Sequence, residues 1–525
     1  MKHGLLTALF LLLILPTIVQ AEDRWDIKTL DTYQVLTDAS IDSSILLDGT
    51  KADVYETTGL QEGYYKIDFN GVQGFIHSSQ ASTLFEQERM SFKVVEDQIP
   101  YYIMTKGKLV QKGTLLKEAV LTRTKTASIY HLVEVGKEVY YIPLAGTIPT
   151  TTEPIIDTSK KAKYPMKLYN RDEVPIYNKQ LIQIATLSAN QSVDLIALEK
   201  SKGVIYFLGQ EARINMNDFV HMDLLQPKKV LTYEEMTYLL QVVATLYPEF
   251  TKLQQIGKSV EGTPMYAMKI GNGKKEVLLD GSLHAREHMT TNVVVEMIDT
   301  YSIHYKNKSV YGGYNVRETL DQTAIWFIPM MNPDGVKLVQ SGPKPLKNGA
   351  LATKINGSTN FNRWKSNIRG VDLNDNFASG WDKITGGHKK PAYMAYKGPS
   401  AFSEPESQAF RDFVKKHKFK TYISYHSSGQ IMYWFNYQKQ AESKRDQALA
   451  KTLSKLTGYK VMPPQYLPGS GASADWFIQQ TKMPGITLEI SPYVGDIPVP
   501  LSKWDAIWRQ NNKVGLYLAQ EASKR

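Results

Sequence analysis

The sequence predicts an α/β domain, a mixed doubly wound sheet covered by helices, preceded by several small all-β barrels. Three observations carry that expectation. From Glu22 to Pro227, short alternating runs rich in Tyr, Val and Ile recur between Gly, Asn, Asp and Ser turns. Near Leu231 the apolar spacing changes to that of a helix. From there to Arg525, strand-like and helix-like segments alternate, the pattern of a sheet packed against helices. A chain of 525 residues, 42% hydrophobic and 22% charged, is globular in composition and too long for one ordinary core.

Residues 1–21 read as a secretory signal peptide. Lys2 supplies the positive start, Gly4 to Val19 is almost wholly apolar, and Val19-Gln20-Ala21 offers a small-residue cleavage site. The alternative is an uncleaved anchor, but the run carries Pro16 and is shorter than the ~20 residues a span needs. No later stretch has the length and apolarity to cross a membrane. After signal cleavage the protein is therefore expected to be secreted or wall-associated, with no integral membrane segment.

Three β-segments follow, over 22–85, 86–148 and 162–227. The first contains Tyr64-Tyr65-Lys66-Ile67-Asp68-Phe69, the turn Asn70-Gly71, and Val72-Gln73-Gly74-Phe75-Ile76. Asn-Gly is a strong hairpin signal because both turn positions want positive φ. The second pairs Ile129–Val133 with Glu138–Ile142 about Gly136, and the third pairs Leu195–Leu198 with Val204–Phe207 about Gly203. Their recurrence at roughly 65 residues predicts tandem barrels. Gly146 to Pro165, with Thr150-Thr151-Thr152 and three prolines, reads as a linker. The stretch GYYKIDFNGVQGFIHSS resembles a bacterial SH3-like module, and the other two segments resemble it loosely. That resemblance implies tethering to peptidoglycan; the alternative is that the modules only space or shield the rest.

The region 230–525 opens with Thr232 and Glu235 as a capping box before Met236, Leu239, Leu240 and Val243 at helical spacing. The sequence has no cysteine, which excludes thiol nucleophiles and thiolate zinc sites, so any zinc must take histidine and carboxylate ligands. The formal charge of +10 suits a polyanionic surface or, equally, plain solubility. No nucleic-acid motif accompanies it.

Chemistry gathers at strand ends. Glu276–Asp280 reads as a buried strand, followed by Gly281-Ser282-Leu283 and His284-Ala285-Arg286-Glu287-His288. A helix then starts near Thr290, with Val293, Val294, Met297 and Ile298 inward. Ligands of open α/β sheets bind at such strand exits. His284 and Glu287, three apart in a turn, would converge on one ion and leave zinc short of a third ligand. The same letters, His-x-x-Glu-His, also read as an inverted zincin signature with both histidines as ligands. Tyr422–Ser428 is a second strand ending in a histidine, His426. Gly485–Ile490 is a third strand, whose acid Glu489 is costly to bury without a partner.

Together these residues resemble the zinc carboxypeptidases of the carboxypeptidase A type, over roughly Leu231 to the C-terminus. The marks, in the family's order, are Gly281–Glu287, Asn332-Pro333-Asp334-Gly335, Gly370-Val371-Asp372-Leu373-Asn374, Tyr425-His426-Ser427, Asp475-Trp476 and Thr487-Leu488-Glu489. The resemblance implies one Zn2+ per domain, held by His284, Glu287 and His426. Glu489 would serve as general base and then acid, and Asp372 would orient His284. His288 is left without a role. Lys365 aligns with the arginine that polarises the scissile carbonyl, with Arg369 as the alternative cation. Arg286, Asn374 and Asp375 fall among substrate-binding positions, and Tyr466 stands in for the family's mobile tyrosine beside Leu467. The family grips a C-terminal carboxylate with an Asn-Arg pair, whereas this chain has Asn374-Asp375. Ala474 carries no charge at a position that helps set side-chain preference.

WKSNIRGVDLNDNF and the wall-type modules together resemble a narrower branch, the bacterial γ-D-glutamyl-diaminopimelate peptidases. The expected substrate is thus a cell-wall muropeptide, with possible wall-polymer contact through the β-modules. A secreted carboxypeptidase of broader specificity and a wall-peptide-binding pseudo-enzyme are the alternatives.

Overall fold

The computed structural model describes residues 24–154, 163–164, 166–222 and 227–525. The expected signal peptide lies outside these residues, as do positions 155–162 and 165 of the expected linker. Two compact units divide the chain. One holds residues up to Lys160 with Asp172–Gln191 and Val204–Ile214; the other holds Lys161–Arg171, Ser192–Gly203 and Asn215–Arg525. Among the described residues no helix is long and apolar enough to cross a membrane.

The first unit is built mostly of β-strands. Tyr64–Phe69 and Val72–His77 pair antiparallel with Phe69 opposite Val72, and Asn70 and Gly71 take φ of 55° and 80°. The Asn-Gly pair therefore makes the turn its lack of steric cost at positive φ allows. Inward residues at period two, including Trp25, Ile27, Tyr33, Val35, Ile67 and Ile76, form the core. Tyr130–Val135 and Glu138–Pro143 make the second hairpin, turning through Gly136 at φ 62°. Lys108–Leu116 pairs onward with Gln183–Leu187, Gly113 opposite Leu187. The sheet of the second segment thus runs into strands the sequence assigns to the third.

The second unit opens on α1 (Tyr233–Leu246), capped by Thr232, whose Oγ1 accepts the Glu235 N–H at 3.2 Å. Met236, Leu239, Leu240 and Val243 are all buried, as their spacing predicts. Eight strands form one sheet: β1 (Thr251–Lys258), β2 (Pro264–Ile270), β3 (Lys275–Asp280), β4 (Thr323–Ile328), β5 (Phe419–Ser427), β6 (Ile431–Tyr433), β7 (Lys460–Val461) and β8 (Gly485–Ile490). Their order is β1-β2-β4-β3-β5-β8-β6-β7. The central run β4-β3-β5-β8 is parallel and the neighbours on either side are antiparallel, so the sheet is mixed.

Helices cover both faces. Along β4, Trp326 faces α4 (Pro405–Lys415), meeting Phe413 edge-on at 5.2 Å. Phe327, on the alternate face, meets Tyr301 of α2 (Met289–Lys306). One buried cluster joins Leu278, Trp326, Phe410, Phe413, Tyr422 and Phe477, the last from α5 (Ser473–Thr481). Buried strands with helices on both sides are why β3 reads Val-Leu-Leu without polar alternation. This layering leaves the C-terminal ends of β3, β5 and β8 side by side, and the chemistry-bearing residues collect there.

Candidate active site

The chain leaves β3 through Gly281 and Ser282. Ser282 has φ of 52°, and its N–H donates to Thr290 Oγ1 at 2.7 Å. A single turn, Ala285–Glu287, then brings Glu287 back towards His284 before α2 begins. The turn is fastened from outside: the N–H groups of Ala285 and Arg286 donate to the carbonyls of Lys365 and Trp364 at 3.0 Å each. Asn332 is the clasp. Its Oδ1 accepts the Gly335 N–H and caps α3 (Pro333–Ser341), while its Nδ2 donates to the carbonyls of Leu283 and Ser366. Gly335 must be glycine, since a Cβ there would stand 2.8 Å from that of Ala285. The Asn-Pro-Asp-Gly motif therefore acts by locking two loops together.

His426 is the penultimate residue of β5 and stands in register with Glu489 on β8. Adjacent parallel strands about 4.8 Å apart thus carry the second histidine and the acid to one edge. His284 Nδ1 lies 2.9 Å from Glu287 Oε1, and His426 Nδ1 lies 3.1 Å from both Glu287 Oε2 and His284 Nδ1. The Ser427 N–H donates to Glu287 Oε2 at 3.0 Å. His284 Nε2 donates to Asp372 Oδ1 at 3.0 Å, which leaves Nδ1 as the lone-pair nitrogen facing the others. Asp372 is itself held by the N–H groups of Asn374 and Ala395.

One ligand atom from each of His284, Glu287 and His426 falls within 4.8 Å of the others, and all three residues are buried. Two imidazole nitrogens and a carboxylate facing one another so closely fit a cation. Tetrahedral zinc, with bonds of about 2.0–2.1 Å, sets its donors roughly 3.3 Å apart. Burial and Lys365 push the His284 ring towards losing its proton, yet Glu287 and Asp372 outweigh them and hold its pKa up at about 9. A metal takes that proton's place. Burial alone would raise the Glu287 carboxyl, but His284, His426 and Lys365 hold it well below the usual carboxylate range. His288 stays outside the set, its pKa lowered to about 4 by burial. The turn at a strand exit, rather than inside a helix, excludes the inverted zincin arrangement.

Glu489 sits at the mouth. Burial and the Glu287 charge raise its carboxyl pKa against the opposing pull of His426 and Lys365. It lines a cleft of about 220 Å³ together with His284, His426, Lys365, Asn374 and Asp475. Lys365 Nζ lies 3.8 Å from Glu287 Oε1, whereas Arg369 turns away to Glu404 at 3.6 Å. Of the two candidate cations the structure brings only Lys365 to the cleft. Asn374 Oδ1 accepts the Ser473 N–H at 3.1 Å. Burial and the neighbouring Asp372 raise the Asp375 carboxyl to about 7. Arg286 is spoken for by the Arg363 carbonyl and by Asp496, at 3.0 and 2.8 Å. Tyr466 is 69% exposed, with its ring beside Phe435 and Tyr437. The aromatic wall of Tyr433, Trp434, Phe435 and Tyr437 was not anticipated, although the run Met432–Tyr437 advertises it in the sequence.

A mixed sheet whose C-terminal edge carries this buried His-Glu-His set, with a free carboxylate across the cleft, defines a zinc metallopeptidase. Within that class the chain belongs to the zinc carboxypeptidase family, whose profile matches residues 236–511. It is 33% identical over 291 residues to gamma-D-glutamyl-L-diamino acid endopeptidase 1 of Lysinibacillus sphaericus, spanning 55% of this chain and 71% of that protein. Over 271 residues it is 28% identical to carboxypeptidase B of Rattus norvegicus, covering 48% of this chain and 60% of that one. Among solved structures, bovine thrombin-activatable fibrinolysis inhibitor in complex with tick carboxypeptidase inhibitor aligns at 20% identity and a TM-score of 0.47, over 57% of this chain and 99% of that chain.

Proposed function

We propose that the chain is a secreted zinc peptidase that hydrolyses the γ-D-glutamyl-diaminopimelate bond of peptidoglycan peptides. In this reading His284, Glu287 and His426 hold the zinc. When bound there, zinc supplies a Lewis acid for the scissile carbonyl and lowers the pKa of a neighbouring water to about 7. Glu489 takes the water's proton on its carboxylate and passes it to the leaving amine. The raised Glu489 pKa suits both halves of that transfer. Lys365 meets the negative charge that builds on the carbonyl oxygen. Asp372 keeps the proton of His284 on Nε2 and so keeps Nδ1 free for the metal.

The observation that carries the substrate is Asp375, next to the cleft residue Asn374. Raised to about 7, the Asp375 carboxyl ionises readily beside an incoming ammonium, and in that form it attracts the ammonium and repels the C-terminal carboxylate an ordinary carboxypeptidase grips. Diaminopimelate bears both an amine and a carboxylate at its far stereocentre, so Asp375 would meet the amine and a nearby Lys or Arg the carboxylate. The relative named as a gamma-D-glutamyl-L-diamino acid endopeptidase supports the same choice. The β-segments 22–85, 86–148 and 162–227 would then be SH3-like modules directing the enzyme to the wall, after removal of residues 1–21. Incubation with L-Ala-γ-D-Glu-meso-diaminopimelate should release L-Ala-D-Glu and free diaminopimelate, and a chelator should stop it. Absence of zinc-dependent cleavage would sink this reading. The carboxypeptidase B relative favours a second one, a secreted carboxypeptidase of broader specificity. Peptides with free and amidated C-termini separate the two, because only the second requires the free carboxylate of an ordinary peptide.

A further inference from the structure

Parallel strands that share one direction gather their entrances at the edge opposite the cleft. Here that edge is cationic. Lys274 and Lys275 open β3; Lys415 and Lys416 close α4; Lys418 and Lys420 lead into β5; and Lys482 precedes β8. Since β3, β5 and β8 are neighbours in the sheet, the three entrances lie within roughly 10 Å across the strands.

Lys274, Lys415, Lys416, Lys418 and Lys482 are exposed. Among the described residues none of these five ammonium groups, nor that of Lys420, forms an ion pair or hydrogen bond. The nearby acids are engaged elsewhere: Glu276 by Trp326 and His417, Asp412 by Arg411, and Glu521 by Arg525. Val414, Phe419 and Met483 floor a groove of about 400 Å³, and Lys415, Lys418 and Lys420 stand on its rim. Favourable interaction with a helix C-terminus accounts for Lys415 and Lys416. It does not account for Lys274, Lys418, Lys420 or Lys482, whose mutual repulsion costs stability.

We infer that this edge of the catalytic unit docks on a linear polymer of repeating phosphodiesters that lacks bases. Lysine ammoniums act as point charges and meet the phosphates of a flexible chain without fixed geometry, whereas the planar fork of arginine adds bidentate geometry towards carboxylates, phosphates and guanine edges. The rim supplies lysines, and of the two rings lining the groove Phe419 is 2% exposed while His417 is stacked on Phe419 at 4.9 Å, packed against Phe413 and Trp326 and hydrogen-bonded to Glu276, so neither offers a free face on which a base could stack. Along β5 the patch stands about 23 Å from His426, by the rise of a strand. A bound polymer therefore leaves the cleft open. The inference is independent of which bond the enzyme cleaves.

The test uses the full-length protein and the quadruple variant Lys415→Gln, Lys418→Gln, Lys420→Gln and Lys482→Gln, with fluorescein-labelled poly(glycerol phosphate). Anisotropy titrations at 50–200 mM NaCl should show wild-type binding that weakens steeply with salt. The variant should bind at least tenfold more weakly, with a log–log salt slope shallower by about three. Its melting temperature should be no lower than that of wild type, because mutual repulsion is relieved, and its chelator-sensitive peptidase activity should match wild type, because none of the four residues lines the cleft. Equal affinity of variant and wild type would overturn the assignment. So would tighter wild-type binding to single-stranded DNA of matched charge, or binding confined to phosphatidylglycerol vesicles.

Discussion

At the scale of single residues the site is an exercise in keeping lone pairs pointed at one place. Asp372 removes the ambiguity of the His284 tautomer, the Ser427 amide holds one Glu287 oxygen, and the register of β5 with β8 sets Glu489 beside His426. The Glu489 side-chain carboxylate makes no hydrogen bond among the described residues, which leaves it available for a proton. Replacing Glu489 by Gln keeps shape and removes the base. We expect kcat to fall by about 10³, within the usual 10²–10⁴ span of general-base contributions, with KM and bound zinc little changed. Steady-state kinetics with metal analysis checks this; retained hydrolysis would rule out Glu489 as the base.

At the scale of elements, the loops matter more than the sheet. The segment carrying Lys365 and Asp372 is folded around Asn367, whose Oδ1 accepts the N–H groups of Arg369 and Val371. Its Nδ2 donates to Glu404 at 2.7 Å and to Glu406 at 3.3 Å. Glu406 is completely buried, and burial, with Asp334 and Glu404 nearby, raises its pKa to about 8. The folded state therefore keeps a proton that the unfolded chain releases near pH 4.3. Between these values the folded state binds more protons, so stability falls as pH rises through the window, by a few kcal/mol at most. Melting curves from pH 5 to 9 should decline more steeply for wild type than for Glu406→Gln, which keeps the neutral form at every pH. Parallel curves would show that another group governs the slope.

At the scale of the whole molecule, zinc binding is expected to stabilise the fold, since the ion binds the folded site and not the unfolded chain. His284, Glu287 and His426, the residues proposed to hold zinc, all belong to the second unit, and the cysteine-free chain has no disulfide to share the load. An ion present at a thousand times its Kd stabilises that unit by about 4 kcal/mol. Chelation should accordingly lower its melting transition by on the order of 10 °C and abolish peptidase activity, with both restored by added zinc. A transition that ignores the chelator would mean that the folded unit does not depend on the metal.

What the sequence determined by itself was local and periodic. The change from period two to helical spacing near Leu231, the Asn70-Gly71 turn, the Thr232 cap and the strand exit before His284 each follow from a few neighbouring residues, and the fold class follows from their order. The convergence of His284, Glu287 and His426 was legible only because six short motifs fell in a family's order; no spacing in the chain says that residues 139 positions apart will meet. Tertiary structure decided what depends on distant partners. It gave Asn332 its role as a clasp, turned Arg369 to Glu404 and Arg286 to Asp496, and left Lys365 as the cation at the cleft. It also gathered lysines from three separate strand entrances onto one edge, because strand order in a sheet is set by packing and not by sequence order.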